Sequence, residues 1–295
     1  MQSADRALSH NARVYYYRIL SIANYAQKEH LKFYESNKTL ISLMEERSDL
    51  LREDVSEYIS ALSNMAFSCG LLNKHGEVRE VLKKFRQIRP NTLDDELKIH
   101  RQYYMNQFGL CIAQGDFEEG LRALEEHRKE VQRFSEDLFR KNTFFYQYFY
   151  IFFGNGNFEQ ALAYLNEWLA LSGNIERKDL QSLARILNLI IHFEMGNTLL
   201  LESLVRSTQR FLKKEEHMLD YERAVLQFIK TTIRAAGKWE EKQAFQLLQK
   251  QLESLYEKPS ERPMLDLFDI RAWVESKVRG IPFGDVVRLR YRTSI

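Results

Sequence analysis

Apolar residues recur at three- and four-residue spacing along most of the chain, as at Phe158, Ala161, Leu162, Leu165 and Leu169, which marks one buried stripe per helix. Polar turns interrupt the stripes regularly. Glycine stands in these turns at Gly76, Gly115, Gly156, Gly196 and Gly237, in steps of 39, 41, 40 and 41 residues. A period near 40 is that of helix pairs stacked into a solenoid. After each glycine come a polar residue and then apolar and charged residues at helical spacing, as in HGEVREVL, QGDFEEGLRAL and NGNFEQALAYL. This fits a left-handed cap closing one helix and a polar residue starting the next. A weaker copy at SNKTLISLM puts Asn37 in the glycine's place.

The pattern predicts six helix pairs. First helices span 10–36, 53–75, 95–114, 136–154, 178–195 and 217–236; second helices span 39–52, 77–89, 117–134, 157–172, 198–215 and 239–257. Turn residues at Pro90-Asn91-Thr92 and around Ser172-Gly173-Asn174 lengthen two of the connections. The one clear break in composition is Lys258-Pro259-Ser260-Glu261-Arg262-Pro263. Beyond it, Met264, Leu267, Phe268, Trp273 and Val274 outline a final capping helix. The domains expected are therefore a solenoid over 1–257, and a capping helix with a basic tail over 258–295.

Composition narrows the class of protein. Hydrophobic residues make up 44% and aromatics 13%, enough for continuous packing between helices. Lys and Arg number 43 against 41 Asp and Glu, a net charge of +2, so charge carries no general nucleic-acid signal. The two cysteines, Cys69 and Cys111, suggest a reduced, buried pair. The start of the chain lacks a secretory pattern and no apolar run reaches membrane-spanning length, so a cytoplasmic protein without membrane attachment is expected.

GDFEEGLRAL and GNFEQALAYLNEWLALSG resemble the turn and second helix of the tetratricopeptide repeat, with Ala161 at its small position. Gly120 replaces that residue in the preceding unit, and Leu201 and Lys242 depart from it. The resemblance implies an all-α, right-handed superhelix whose first helices line a concave surface that receives peptides or protein segments. It implies no catalytic residue. Carried over by the glycine alignment, the concave positions are Asn73 and Lys74, Gln102 and Met105, and Tyr146 and Tyr150. The basic and asparagine set with which some family members clamp a terminal carboxylate is absent at these places. A mixed amide and tyrosine surface suits an extended or helical peptide with apolar anchors. Met105, Tyr146 and Tyr150 also fit plain packing between repeats.

Candidate chemistry is sparse. Seven dispersed histidines show no i, i+4 pair of the zinc-hydrolase kind. His192, inside LNLIIHFEM, reads as a hydrogen-bonded core residue, and His75 and His127 read as exposed. The GNGN of 154–157 has neither a preceding strand nor a Lys-Ser/Thr pair, so it is a turn and not a phosphate loop. No nucleophile elbow occurs. Neither a metal nor a cofactor is expected. Arg288, Arg290 and Arg292 alternate with Leu289 and Tyr291, which in an extended segment aligns three guanidinium groups toward phosphate or carboxylates. Three readings follow: a scaffold binding a peptide or protein segment, a nucleic-acid-binding repeat using those arginines, and a ligand-sensing regulatory domain.

Overall fold

The computed structural model describes residues 9–134, 139, 142–172, 178–214, 218–233 and 237–293, and every regular element among them is a helix. By the clustering of its contacts the chain forms two compact units, Met1–Leu110 and Cys111–Ile295. In the first lie α1 (His10–Ala26), α2 (His30–Glu46), α3 (Ser48–Glu53), α4 (Val55–Leu71) and α5 (His75–Gln87), and α6 (Leu93–Gln114) crosses the boundary. The second holds α7 (Phe117–Val131), α8 (Asn142–Gly154), α9 (Phe158–Ser172), α10 (Lys178–Glu194), α11 (Thr198–Lys214), α12 (Asp220–Ile233) and α13 (Lys238–Tyr256). It ends with α14 (Arg262–Leu267), α15 (Ile270–Arg279) and α16 (Phe283–Thr293). Six helix pairs are present, α1/α2, α4/α5, α6/α7, α8/α9, α10/α11 and α12/α13, and the fold is an all-α helical repeat.

One backbone device makes the repeat. At five turns the first helix ends in a left-handed residue, and the following N–H returns to the carbonyl five residues back. These bonds run from Glu29 to Asn24, Lys74 to Cys69, Asp116 to Cys111, Asn157 to Phe152 and Asn197 to His192, at 2.8–3.0 Å. This is the double-wrapped helix terminus that satisfies otherwise orphaned carbonyls. Side chains then start the second helix: Asp116 accepts from the Glu119 N–H, and Asn157 from the Gln160 N–H.

The left-handed residues are Lys28, Asn73, Gly115, Gly156 and Gly196, so the turns differ from the glycine pattern in three places. The expected helix over 10–36 is broken at Lys28. Asn37 is not a turn residue: it lies inside α2, is 0% exposed, donates to the Phe33 carbonyl and accepts from the Ser21 hydroxyl. Gly76 lies within α5, and Asn73 three residues earlier takes the left-handed position that asparagine tolerates. Gly237 is extended at φ −175°. The expected helix over 39–52 divides into the end of α2 and α3. The connection beginning at Gly173 lies outside the described residues.

Each unit has its own core. In the first, Leu62, Cys69 and Phe85 are fully buried with Ile59, Leu40 and Val81 around them. In the second, Ala161, Leu165, Leu183, Leu187, Ile190 and Val225 form the interior. Each large apolar side chain so buried contributes about 1.5–3 kcal/mol relative to exposure. Cys69 and Cys111 are both buried. Burial pushes the Cys69 thiol up to about 12, which keeps it protonated. No helix among the described residues is long and apolar enough to cross a membrane.

Candidate functional site

The most aromatic helix, α8, meets the C-terminal helices through the tyrosines singled out by sequence. The Tyr150 ring lies 4.8 Å from Phe268 and 6.1 Å from Phe117, and its hydroxyl accepts from the Asp269 N–H at 3.1 Å. Tyr146 donates its hydroxyl to the Leu267 carbonyl, and its ring lies 5.0 Å from Trp168. Burial raises both phenols above their ordinary range. Phe283 of α16 stacks on Phe268 at 5.8 Å and on Phe117 at 5.7 Å, which closes an aromatic cluster over α8. Both tyrosines are thus engaged by residues of their own chain.

The expected cap is three helices, not one, and the arginine segment is helical, not extended. Asp269 caps α15 by accepting from the Ala272 N–H, and left-handed Gly280 ends it, so the chain turns back into α16. Trp273 packs among Phe193, Phe228 and Phe245 at 5.6–6.1 Å, and its ring N–H donates to Glu194 at 2.6 Å. Lys277 pairs with the same carboxylate at 2.5 Å. At the far end α16 touches the α6–α7 turn. Gln114 donates to the Tyr291 hydroxyl at 2.9 Å, and a Cβ placed on Gly115 would lie 2.8 Å from the Arg288 nitrogen and the Gly284 carbonyl. Gly115 is therefore required twice, by its φ of +68° and by this backbone approach.

Helical geometry separates the three arginines. Arg288 pairs with Asp285 at 2.5 Å and reaches the Gly115 carbonyl. Arg290 bridges Glu275 at 2.8 Å and Asp269 at 3.1 Å. Arg292 lies at the exposed end of α16. Burial alone would raise the Glu275 carboxyl, but hydrogen bonds from Arg279 and Arg290 outweigh it and hold it below the usual range. The first two guanidinium groups fasten the end of the chain.

A buried acid pair joins α14 to α12. Glu261 accepts from the Asp220 and Tyr221 N–H groups at 3.0 Å, at the N-terminus of α12 where the helix dipole favours a carboxylate. Beside it Glu222, 2% exposed, accepts from the Leu219 N–H. Burial pushes the Glu222 carboxyl up to about 7; the Leu219 bond opposes this and the Glu261 charge adds to it.

A cleft of about 1140 Å³ opens among α11, α12 and α13 in this unit. Gln209, Gln227, Gln243 and Gln246 line it with the cations Arg206, Lys230 and Lys250 and the carboxylates Glu202 and Glu240, beside buried Val205 and exposed Leu247. A cleft of about 530 Å³ continues it, sharing Gln227 and Lys250 and adding Arg223 and Ser254. Amides offer both donors and acceptors, the set an extended peptide backbone requires. The sequence reading missed this site. The available signal was KQAFQLLQK, where Gln243, Gln246 and Lys250 share one polar helical face that also contains Leu247.

The other four sequence-chosen residues fall in the first unit. Asn73 forms the α4–α5 turn, and Lys74 lies 4.8 Å from the centre of the Tyr34 ring and 3.4 Å from Glu77. Gln102 and Met105 are half-buried neighbours on α6. The six chosen positions are therefore divided between the two units.

Three of the histidines weighed in the sequence are buried. His192 meets the Asn197 amide at 3.0 Å, and burial lowers its pKa. His75 and His127, expected on the surface, are buried. His127 stacks on Phe144 and bonds the Tyr148 hydroxyl at 2.6 Å, while burial and then Arg79 lower the pKa of His75. Among the described residues no group of three or more His, Cys, Asp or Glu is placed to hold a metal ion.

No family model and no curated protein matches the chain. Among solved structures it is similar to the apo form of RapI, with a TM-score of 0.58 over 97% of this chain and 76% of RapI, at 14% identity. At that identity the likeness shows the fold alone, a helical repeat.

Proposed function

We propose that the protein is a non-catalytic, tetratricopeptide-like scaffold that binds an extended peptide or protein segment on its helical-repeat surface. The observation that carries this reading is the amide-lined cleft among α11, α12 and α13, which joins backbone-pairing groups, charges of both signs and the apolar side chains Val205 and Leu247. Arg206, Lys230 and Lys250 outnumber Glu202 and Glu240 in the lining, an excess of one positive charge that suits a segment bearing a carboxylate. Asn73, Lys74, Gln102 and Met105 are further contact positions in the first unit. Tyr146 and Tyr150 reach a partner only when α14–α16 are displaced from them. The nucleic-acid reading is weakened by the acidic partners of Arg288 and Arg290. The similarity to a protein solved in an apo form keeps ligand sensing as a role for the same cleft.

The test is selection of binders from a displayed random-peptide library, followed by calorimetry. Selected peptides are expected to carry acidic residues, to lose at least about tenfold in affinity on Gln227→Ala/Gln243→Ala or Lys230→Glu, and to depend only mildly on salt. An empty selection, together with oligonucleotide binding that collapses between about 50 and 200 mM salt, would replace the scaffold by the nucleic-acid reading.

A further inference from the structure

Helix α1 buries a mixed side and leaves an apolar one bare. The buried side packs Val14 and Tyr17 on the first unit's core and also takes in two polar residues: Ser21 donates to Asn37 at 2.7 Å, and Asn24 donates to the Ser36 hydroxyl at 2.8 Å and the Lys32 carbonyl at 3.2 Å. The side it leaves bare is apolar, with Tyr15 59%, Ile19 62% and Ile22 58% exposed. The bare side carries the larger run of apolar residues, so hydrophobicity alone does not account for the rotation of the helix. The hydrogen bonds hold it in place, because turning the apolar face inward would strip partners from Asn37 and Ser36, which are themselves buried.

The bare face has the spacing of a coiled-coil seam. Ala12, Tyr15, Ile19, Ile22 and Ala26 follow one another at alternating steps of three and four, the a and d positions of two heptads. Tyr25 beside the seam lies 5.6 Å from Phe67 of α4, and Leu31 and Leu71 are also exposed. From their fractional exposures, Tyr15, Ile19, Ile22 and Tyr25 of α1 offer on the order of 500 Å², so two copies together bury about 1,000 Å², the area at which a specific interface begins.

We infer that this face is a homodimer interface in which α1 pairs antiparallel with α1 of a second copy. Shape selects the occupant. When Ile19 opposes the second copy's Ile22, the same register sets Tyr15 against Ala26, so a large residue meets a small one at each end and two isoleucines fill each central layer. Parallel pairing would set Tyr15 on Tyr15 and Ala26 on Ala26, too wide at one end and open at the other. Charge permits the same arrangement. The seam itself carries none, Arg13 falls outside it, and Arg18 is already paired with Glu57 and in this register lies beside the second copy's Tyr25. The symmetric contact closes on itself and ends at two copies.

Sedimentation equilibrium over a dilution series tests the pairing, with Ile19→Glu/Ile22→Glu as the disrupting variant. The dimer dissociation constant is expected to rise at least about 30-fold. The circular dichroism of dilute protein should not change, since both positions face solvent in the monomer. Cross-linking fixes the direction: Tyr15→Cys protein mixed with Ala26→Cys protein forms a disulfide, and Tyr15→Cys protein alone does not; native Cys69 and Cys111 are buried. Wild-type protein that stays monomeric to about 100 μM overturns the inference. A dimer indifferent to the Glu variant, or Tyr15→Cys protein linked to itself, does so as well.

Discussion

The two units treat their apolar surface in opposite ways. In Cys111–Ile295 the aromatic face of α8 and the ends of α10, α12 and α13 are covered by α14–α16, which bring Phe268, Trp273 and Phe283 onto it. In Met1–Leu110 helix α1 keeps Tyr15, Ile19, Ile22 and Tyr25 in water, while its other side combines core packing of Val14 and Tyr17 with the hydrogen bonds of Ser21 and Asn24. A terminal repeat is ordinarily closed by a polar outer face. One unit meets that need with its own chain; the other carries a face that fits a second chain. Apolar residues in one unit therefore support folding, and those on α1 of the other support association.

The contrast is broken most strongly at the aromatic cluster. Phe268→Ala removes a fully buried ring and should cost the second unit about 3–5 kcal/mol in urea denaturation. Gly115→Ala should follow at about 2–4 kcal/mol, since it adds backbone strain to a 2.8 Å clash with α16. Faster amide exchange in Val286 and Val287 would locate the damage in that helix.

Glu222 comes next, with a sign that pH reveals. Its folded carboxyl titrates near 7 against an ordinary 4.5, so it contributes stability below 4.5 that is lost as pH rises through 7. Glu222→Gln should therefore gain about 2 kcal/mol at pH 8 and nothing at pH 4, read as the difference between two denaturation midpoints. His192 runs the other way. Its lowered folded pKa makes the second unit lose stability as pH falls below 6.5, and His192→Gln should flatten that limb of the profile.

The smallest effect sharpens the comparison best. Ile22→Ser, measured at dilution, should leave the stability of the first unit within about 0.5 kcal/mol of wild type, because the side chain it removes is 58% exposed. A loss comparable to Phe268→Ala would mean that α1 packs through its apolar side after all.

Much of the candidate site was hidden from sequence for a plain reason. Tyr146 and Tyr150 were found as a helical tyrosine pair, but the Leu267 carbonyl and Asp269 N–H that occupy them lie about 120 residues away. The glutamines of the cleft read as ordinary solvated positions until α11, α12 and α13 are assembled around them. Alternation at Arg288, Arg290 and Arg292 suggested an extended segment, yet Phe283, Val286 and Val287 are spaced for a helix and become buried.

What the chain determines by itself is local: six helix pairs, their period, and the glycines that end three of the leading helices at Gly115, Gly156 and Gly196, whereas Lys28 and Asn73 end two others without the glycine signal. Apolar spacing and the double-wrapped terminus act within about five residues, so they can be read without a partner. Tertiary structure alone decided where α14–α16 dock and which way α1 faces. Both depend on groups far apart in sequence, Gln114 with Tyr291 across 177 residues, and Ser21 and Asn24 with the α2 side chains that must stay hydrogen-bonded. Periodicity reports that a helix has an apolar side. Burying polar groups without partners costs more than leaving some apolar surface wet, and that balance sets which side turns inward.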